Sequence, residues 1–131
     1  MLLFAALGLA MAGTPESAIR TTLDDFVQGA ASRDSARVSK ALDPGAIQYV
    51  VTPDARMTLD TPTYLGLLEA GKIGGTETAL QVHDLSVTGS VATATMTRQA
   101  GPVRFDDAVS LQKVDGDWKI VAIAVQMTPP S

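Results

Sequence analysis

The second half of the chain carries two two-residue hairpin signals, Gly89-Ser90 and Asp115-Gly116, set between runs rich in Val, Thr and Ile. Such pairs accept the positive φ that tight hairpin turns require, so each one dictates which residues face each other across the turn. Four strands are predicted in succession, over about 78–88, 90–99, 103–114 and 117–127.

Register follows from the turns. Asp115-Gly116 sets Leu111 opposite Ile120, Val109 opposite Ala122 and Asp107 opposite Ala124. Gly89-Ser90 sets Val87 opposite Ala92, Leu85 opposite Ala94 and His83 opposite Met96. Because side chains alternate across a strand, His83, Leu85, Val87, Met96, Ala94 and Ala92 share one face. The other face, with Asp84, Ser86, Thr93, Thr95 and Thr97, is the wet one. In the last pair, Val103, Phe105, Asp107, Val109 and Leu111 lie with Trp118, Ile120, Ala122 and Ala124. A tight connection at Ala100-Gly101, or any longer one of the same parity, merges the two apolar faces. Asp107 then falls between Ala94 and Ala124, and Arg98 and Gln81 lie toward the end of the same face. The outer face is expected to carry Val121, Ile123 and Val125, an apolar strip that suggests a homodimer through the sheet.

Asp107 is the candidate catalytic residue. An ionised carboxylate among apolar neighbours must either be neutralised or find partners. Neutralisation would make it a general acid or base; partners, such as the hydroxyls of Tyr49 or Tyr64 or backbone amides, would make it structural. Candidate ligand-binding residues around it are His83, Arg98, Tyr49, Tyr64, Met96, Phe105 and Trp118. Arg98 can hold an anionic group bidentately or reach solvent, and a lone histidine such as His83 is equally readable as packed and satisfied.

The first half reads as helices and one strand. Thr14, Pro15 and Glu16 form a helix start, and Ile19, Leu23, Phe26, Val27 and Ala30 recur on one helical stripe. Asp24 and Asp25 point about 100° apart, so they do not converge and read as a solvated face. Asp34 caps a short second helix that ends at Asp43-Pro44-Gly45, with Val38, Ala41 and Leu42 facing inward. A strand over 47–52 puts Ile47, Tyr49 and Val51 on one face, and a short extended piece follows at 56–59. Thr61-Pro62 starts a third helix, with Leu65, Leu68 and Tyr64 inward and Gly71 as its stop. The stretch Gly71-Lys72-Ile73-Gly74-Gly75 lacks the Gly-Lys-Ser/Thr ending of a phosphate loop and reads as a flexible loop or lid.

Composition narrows the function classes. The chain has 131 residues, room for one domain, and 46% of them are hydrophobic. A net charge of −4 with no basic run leaves no footprint for nucleic acid or for an anionic membrane. No cysteine and a single histidine exclude thiolate chemistry and histidine-rich metal sites, and no cofactor motif is present. The apolar run Met1–Ala12, with Ala10-Met11-Ala12 at its end, reads as a signal peptide over 1–13 ahead of one domain over 14–131. It is too short to span a bilayer, so no stable membrane insertion after processing is expected. Export to the periplasm or medium is the reading. A core-packed N-terminal helix of a cytoplasmic protein is the alternative, because no Lys or Arg precedes the run.

Three blocks carry a resemblance to a known family: Ile19-x3-Leu23-x2-Phe26-x2-Gly29, the turn Val87-Thr88-Gly89-x2-Ala92, and Phe105-x-Asp107-x3-Leu111-x-Lys113-x2-Gly116-x-Trp118-Lys119-Ile120-Val121. With the element order, they resemble the nuclear transport factor 2-like superfamily. The nearest branch is the lumazine-binding one, beside the polyketide-cyclase-like (SnoaL-like) proteins. The resemblance implies an α+β, cone-shaped fold in which N-terminal helices wrap a curved, mostly antiparallel sheet around a pocket, and frequent dimerisation. Enzymes of the superfamily, such as the ketosteroid isomerases, place a tyrosine and two acids around that pocket. This set does not map onto the chain, where Leu23 and Phe26 occupy the first-helix region. Two functions follow as expectations. One is an exported, noncatalytic domain that binds a small apolar or aromatic molecule. The other is a cofactor-free enzyme of isomerase, cyclase, dehydratase or hydrolase type that uses Asp107 for proton transfer.

Overall fold

The computed structural model describes residues 13–131, so the leader expected over 1–13 lies outside the described residues but for Gly13. The elements are α1 (Pro15–Ala31), α2 (Ser35–Ala41), β1 (Leu42–Val51), β2 (Arg56–Asp60), α3 (Thr61–Glu69), β3 (Thr78–Thr88), β4 (Val91–Ala100), β5 (Val103–Val114) and β6 (Asp117–Thr128). The strands form one six-stranded sheet in the order β2-β1-β6-β5-β4-β3. Every pairing is antiparallel except β1 with β6. No helix among the described residues is long and apolar enough to cross a membrane.

Local chemistry explains the helices. Thr14 accepts from the Ser17 amide at the start of α1, and Asp34 accepts from the Arg37 amide at the start of α2. The α3 cap is Asp60 rather than the expected Thr61; Asp60 accepts from the Thr63 amide while the Thr61 hydroxyl donates to the Asp43 carbonyl. The stripe Ile19, Leu23, Phe26, Val27 and Ala30 is buried against the sheet, as its spacing requires. Full burial of a side chain the size of Phe26 contributes about 1.5–3 kcal/mol. Asp25 departs from the solvated reading. It is 7% exposed and holds α2 to α1 through Arg37 Nε at 2.9 Å and Lys40 Nζ at 3.4 Å.

Both predicted hairpin turns are present, with Gly89 at φ 58°, Asp115 at φ 51° and Gly116 at φ 88°. The β4–β5 turn is Gly101-Pro102 rather than Ala100-Gly101, because Ala100 pairs with Val103. Gly101, at φ 59°, supplies the left-handed residue, and Pro102 gives up no hydrogen bond there. This moves the partner of Asp107 from Ala94 to Met96 and leaves the face unchanged.

Two β-bulges change the outer strands. In β3 the register steps between Val82 and Asp84, which leaves His83 without a partner. Val82 therefore faces Met96 and Leu80 faces Arg98, the places read for His83 and Gln81. In β6 the register steps at Val121, so Val109 faces Ile123 and Asp107 faces Val125. Ile123 and Val125 are consequently buried, and Ala122 and Ala124 turn to the outer face. The outer apolar strip of Val121, Ile123 and Val125 is thus absent, and the argument it carried for a homodimer contact goes with it. The β1 alternation is also inverted: Ala46 and Gln48 are buried while Tyr49 and Val51 are exposed.

The packing of α1 on α2 is close at Gly29, where an added Cβ would come within 2.8 Å of Val38 Cγ2 and 3.1 Å of the Val38 amide nitrogen. Alanine gains about 1 kcal/mol of helix propensity over glycine, but an overpacked contact costs about 1–3 kcal/mol. Because a backbone atom is one of the neighbours, the clash is expected to win. Gly29→Ala should lower the urea midpoint by the equivalent of about 1–2 kcal/mol with an unchanged denaturant slope.

Candidate functional site

A cavity of about 400 Å³ opens between the sheet, the C-terminal half of α1, α3 and the glycine loop after it. That is within the range of small-molecule sites. Its walls are mostly aliphatic, with Val27 and Ala30 from α1, Val50 from β1 and Val125 from β6. Met57, 47% exposed, lies on its solvent side. The glycine loop does not hang free. Arg33, itself at φ 53°, donates to the carbonyls of Gly71 (3.3 Å), Ile73 (3.1 Å) and Gly74 (3.1 Å), and the Gly75 amide donates to Ala30 at 3.0 Å. The loop is therefore fastened to the end of α1, and Ile73 and Gly74 form part of the cavity wall.

The polar heart of the site is a buried ion pair. Arg98 Nε donates to Asp107 Oδ2 at 2.6 Å and Arg98 Nη2 donates to Oδ1 at 2.8 Å. The Asp107 side chain is wholly buried, whereas Arg98 reaches the cavity wall. The guanidinium also lies 4.2 Å from the Phe105 ring centre and 5.5 Å from that of Phe26. Cation–π contact of this kind adds about 0.5–2 kcal/mol per desolvated site. Both carboxylate oxygens are held by the guanidinium, and Asp107 is not part of the cavity wall. In this arrangement Asp107 anchors Arg98 through both of its oxygens.

The other candidates separate into two groups. Arg98, Phe105 and Tyr64 line the cavity together. His83, Tyr49, Met96 and Trp118 do not. His83 is displaced by the β3 bulge to the outer face, where its ring nitrogen pairs with Thr97 Oγ1 at 2.7 Å; Thr97 in turn donates to Asp106. Tyr49, 52% exposed, stands on the outer face beside Ala122 and Ala124 because the β1 alternation is inverted. Met96 is packed in the core, and Trp118 lies beneath α1, its carbonyl accepting from Thr22. Gln48, missed from the sequence, is the polar residue that replaces them. It lines the cavity, is 4% exposed, and its Nε2 has no hydrogen-bond partner among the described residues. An unmet buried donor costs about 1–3 kcal/mol. Strand alternation anchored on Ile47, Tyr49 and Val51 pointed it outward, and no local signal contradicts that.

Burial pushes the Tyr64 hydroxyl above its ordinary value of 10.0; Arg98 lowers it and Asp107 raises it by smaller effects. The proton is thus held more tightly in the folded state than in the unfolded chain. The corresponding stability is fully present below the unfolded value and is lost as pH rises through the folded one. Urea unfolding between about pH 9 and 11 should show an alkaline decline that is shallower in Tyr64→Phe than in the parent protein.

Residues 14–124 match the family described as "putative lumazine-binding". No curated protein matches the chain. Among solved structures, an NTF2-like protein of unknown function from Shewanella baltica superposes with a TM-score of 0.77 at 20% identity, covering 87% of this chain and 94% of that one. One from Silicibacter pomeroyi gives 0.76 at 16% identity, covering 85% and 93%. A ketosteroid isomerase-like protein from Erwinia carotovora atroseptica gives 0.65 at 10% identity, covering 85% and 94%. At these identities the likeness concerns the fold alone. The α+β architecture, with its curved, open sheet and N-terminal helices, is that of the NTF2-like superfamily, and the chain belongs to its lumazine-binding-like family.

Proposed function

We propose that the domain is a noncatalytic binder of small, flat, largely apolar molecules, held in the cavity between α1, α3 and the sheet. One observation carries this reading: among the described residues, the only titratable side chains lining the cavity are Arg98 and Tyr64. Arg98 is committed to Asp107 by two hydrogen bonds, while burial makes Tyr64 a weaker acid than usual. Neither suits proton transfer near neutral pH, which calls for a group with a pKa close to the working pH. An apolar enclosure with a few fixed polar groups is the ordinary design of a binding site. Tyr64 and Phe105, both in the cavity wall, offer flat surfaces to a planar ligand, and Phe26 backs Tyr64 from the core with ring centres 5.7 Å apart.

The test is titration of the purified protein with planar apolar probes, naphthalene and lumazine among them, followed by amide chemical shifts. The expected result is saturable binding of at least one probe, with shifts centred on Val27, Val50, Tyr64 and Phe105. Ala31→Trp, which places a bulky ring at the cavity wall, should weaken that binding about tenfold or more while the fold is kept. Absence of saturable binding by every probe, or shifts confined to the outer face of the sheet, would contradict the proposal.

A further inference from the structure

The geometry points to Gln48 as the residue that selects the ligand: its side-chain amide reads a neutral lactam-type edge, an adjacent N–H and C=O, on a flat apolar molecule. The inference rests on the binding role proposed above and adds the chemistry recognised. Among the described residues Gln48 is the only amide side chain in the cavity wall, 4% exposed, and shares that wall with Val50, Leu59 and Val125. Its Nε2 has no hydrogen-bond partner among the described residues, although almost every buried donor in a folded protein has one. The terminal amide torsion is soft, so either end turns toward the cavity at little cost. A primary amide then offers one donor and one acceptor side by side. A lactam edge offers the complementary pair in the same plane and meets both.

Charge argues for a neutral ligand over a carboxylate. The one cation in the wall among the described residues, Arg98, already has both Asp107 oxygens on it at 2.6 and 2.8 Å, so a second carboxylate would meet a pair that is close to neutral overall. It would also lose its hydration in an apolar enclosure without a full counter-charge. A neutral carbonyl loses far less and still gains the hydrogen bond.

Calorimetric titration with four matched bicyclic probes tests this: naphthalene, 2-quinolone, N-methyl-2-quinolone and quinoline-2-carboxylate. In the parent protein 2-quinolone should bind at least tenfold more tightly than naphthalene, and both the N-methyl and the carboxylate probes should lose that advantage. Gln48→Leu should show no preference for 2-quinolone over naphthalene. Gln48→Met, similar in length to glutamine, is the second variant and should behave the same way. Both should be at least as heat-stable as the parent, because an unpaired buried amide is removed. Equal binding of naphthalene and 2-quinolone by the parent protein, or a preference that survives Gln48→Leu, overturns the assignment of Gln48 and leaves the binding role standing. Tightest binding by the carboxylate probe overturns it in favour of an anion site at Arg98. Binding of none of the four overturns both the selection and the binding role on which it rests.

Discussion

The buried pair between Arg98 and Asp107 governs what the interior of this domain can be. An arginine is tolerated beside Phe26 and Phe105 because two short hydrogen bonds from a sealed carboxylate balance its charge. Neither member is stable there alone, since an uncompensated buried charge costs several kcal/mol. Together they give the cavity a rigid polar floor without a net charge. The geometry also settles the division of labour within the pair: Asp107 faces inward to hold, and Arg98 faces the cavity.

The sheet that carries this pair is shaped by its two bulges. A bulge bends and twists the bulged strand, and here the bulges sit in β3 and β6 at His83 and Val121. Their positions follow from hydrophobic phase. Leu80 and Val82 are two apart, but the next inward pair, Leu85 and Val87, begins three residues on. Trp118 and Ile120 are likewise followed by Ile123, Val125 and Met127 after a three-residue step. An extra residue in each strand keeps every one of these side chains on the buried face. Both breaks are visible in the sequence, and a strict two-residue alternation carried past them is what misplaces His83 inward and Ile123 and Val125 outward.

Much of the rest was legible for similar physical reasons. Helix caps at Thr14 and Asp34, the stripe of α1 and the turns at Gly89 and Asp115 are local, and local chemistry determines them. The inward position of Asp107 was readable from the parity of the β5–β6 hairpin on its first side, before the Val121 bulge intervenes. Its partner was not: Arg98 is on a different strand, and its pairing depends on how a long side chain folds back over Phe105. Gln48 was hidden for another reason. The apolar residues in the second half of β1, Ile47, Tyr49, Val50 and Val51, fall on both faces, and the buried one is decided only when β6 and β2 are placed beside it.

A double-mutant cycle measures the coupling between Asp107 and Arg98 directly. Urea unfolding of Asp107→Leu, Arg98→Met and the double variant should show each single change costing about 3–5 kcal/mol. The double change should cost far less than the sum, with a coupling of about 2–3 kcal/mol. Additive costs, or single changes each below about 1 kcal/mol, would contradict it.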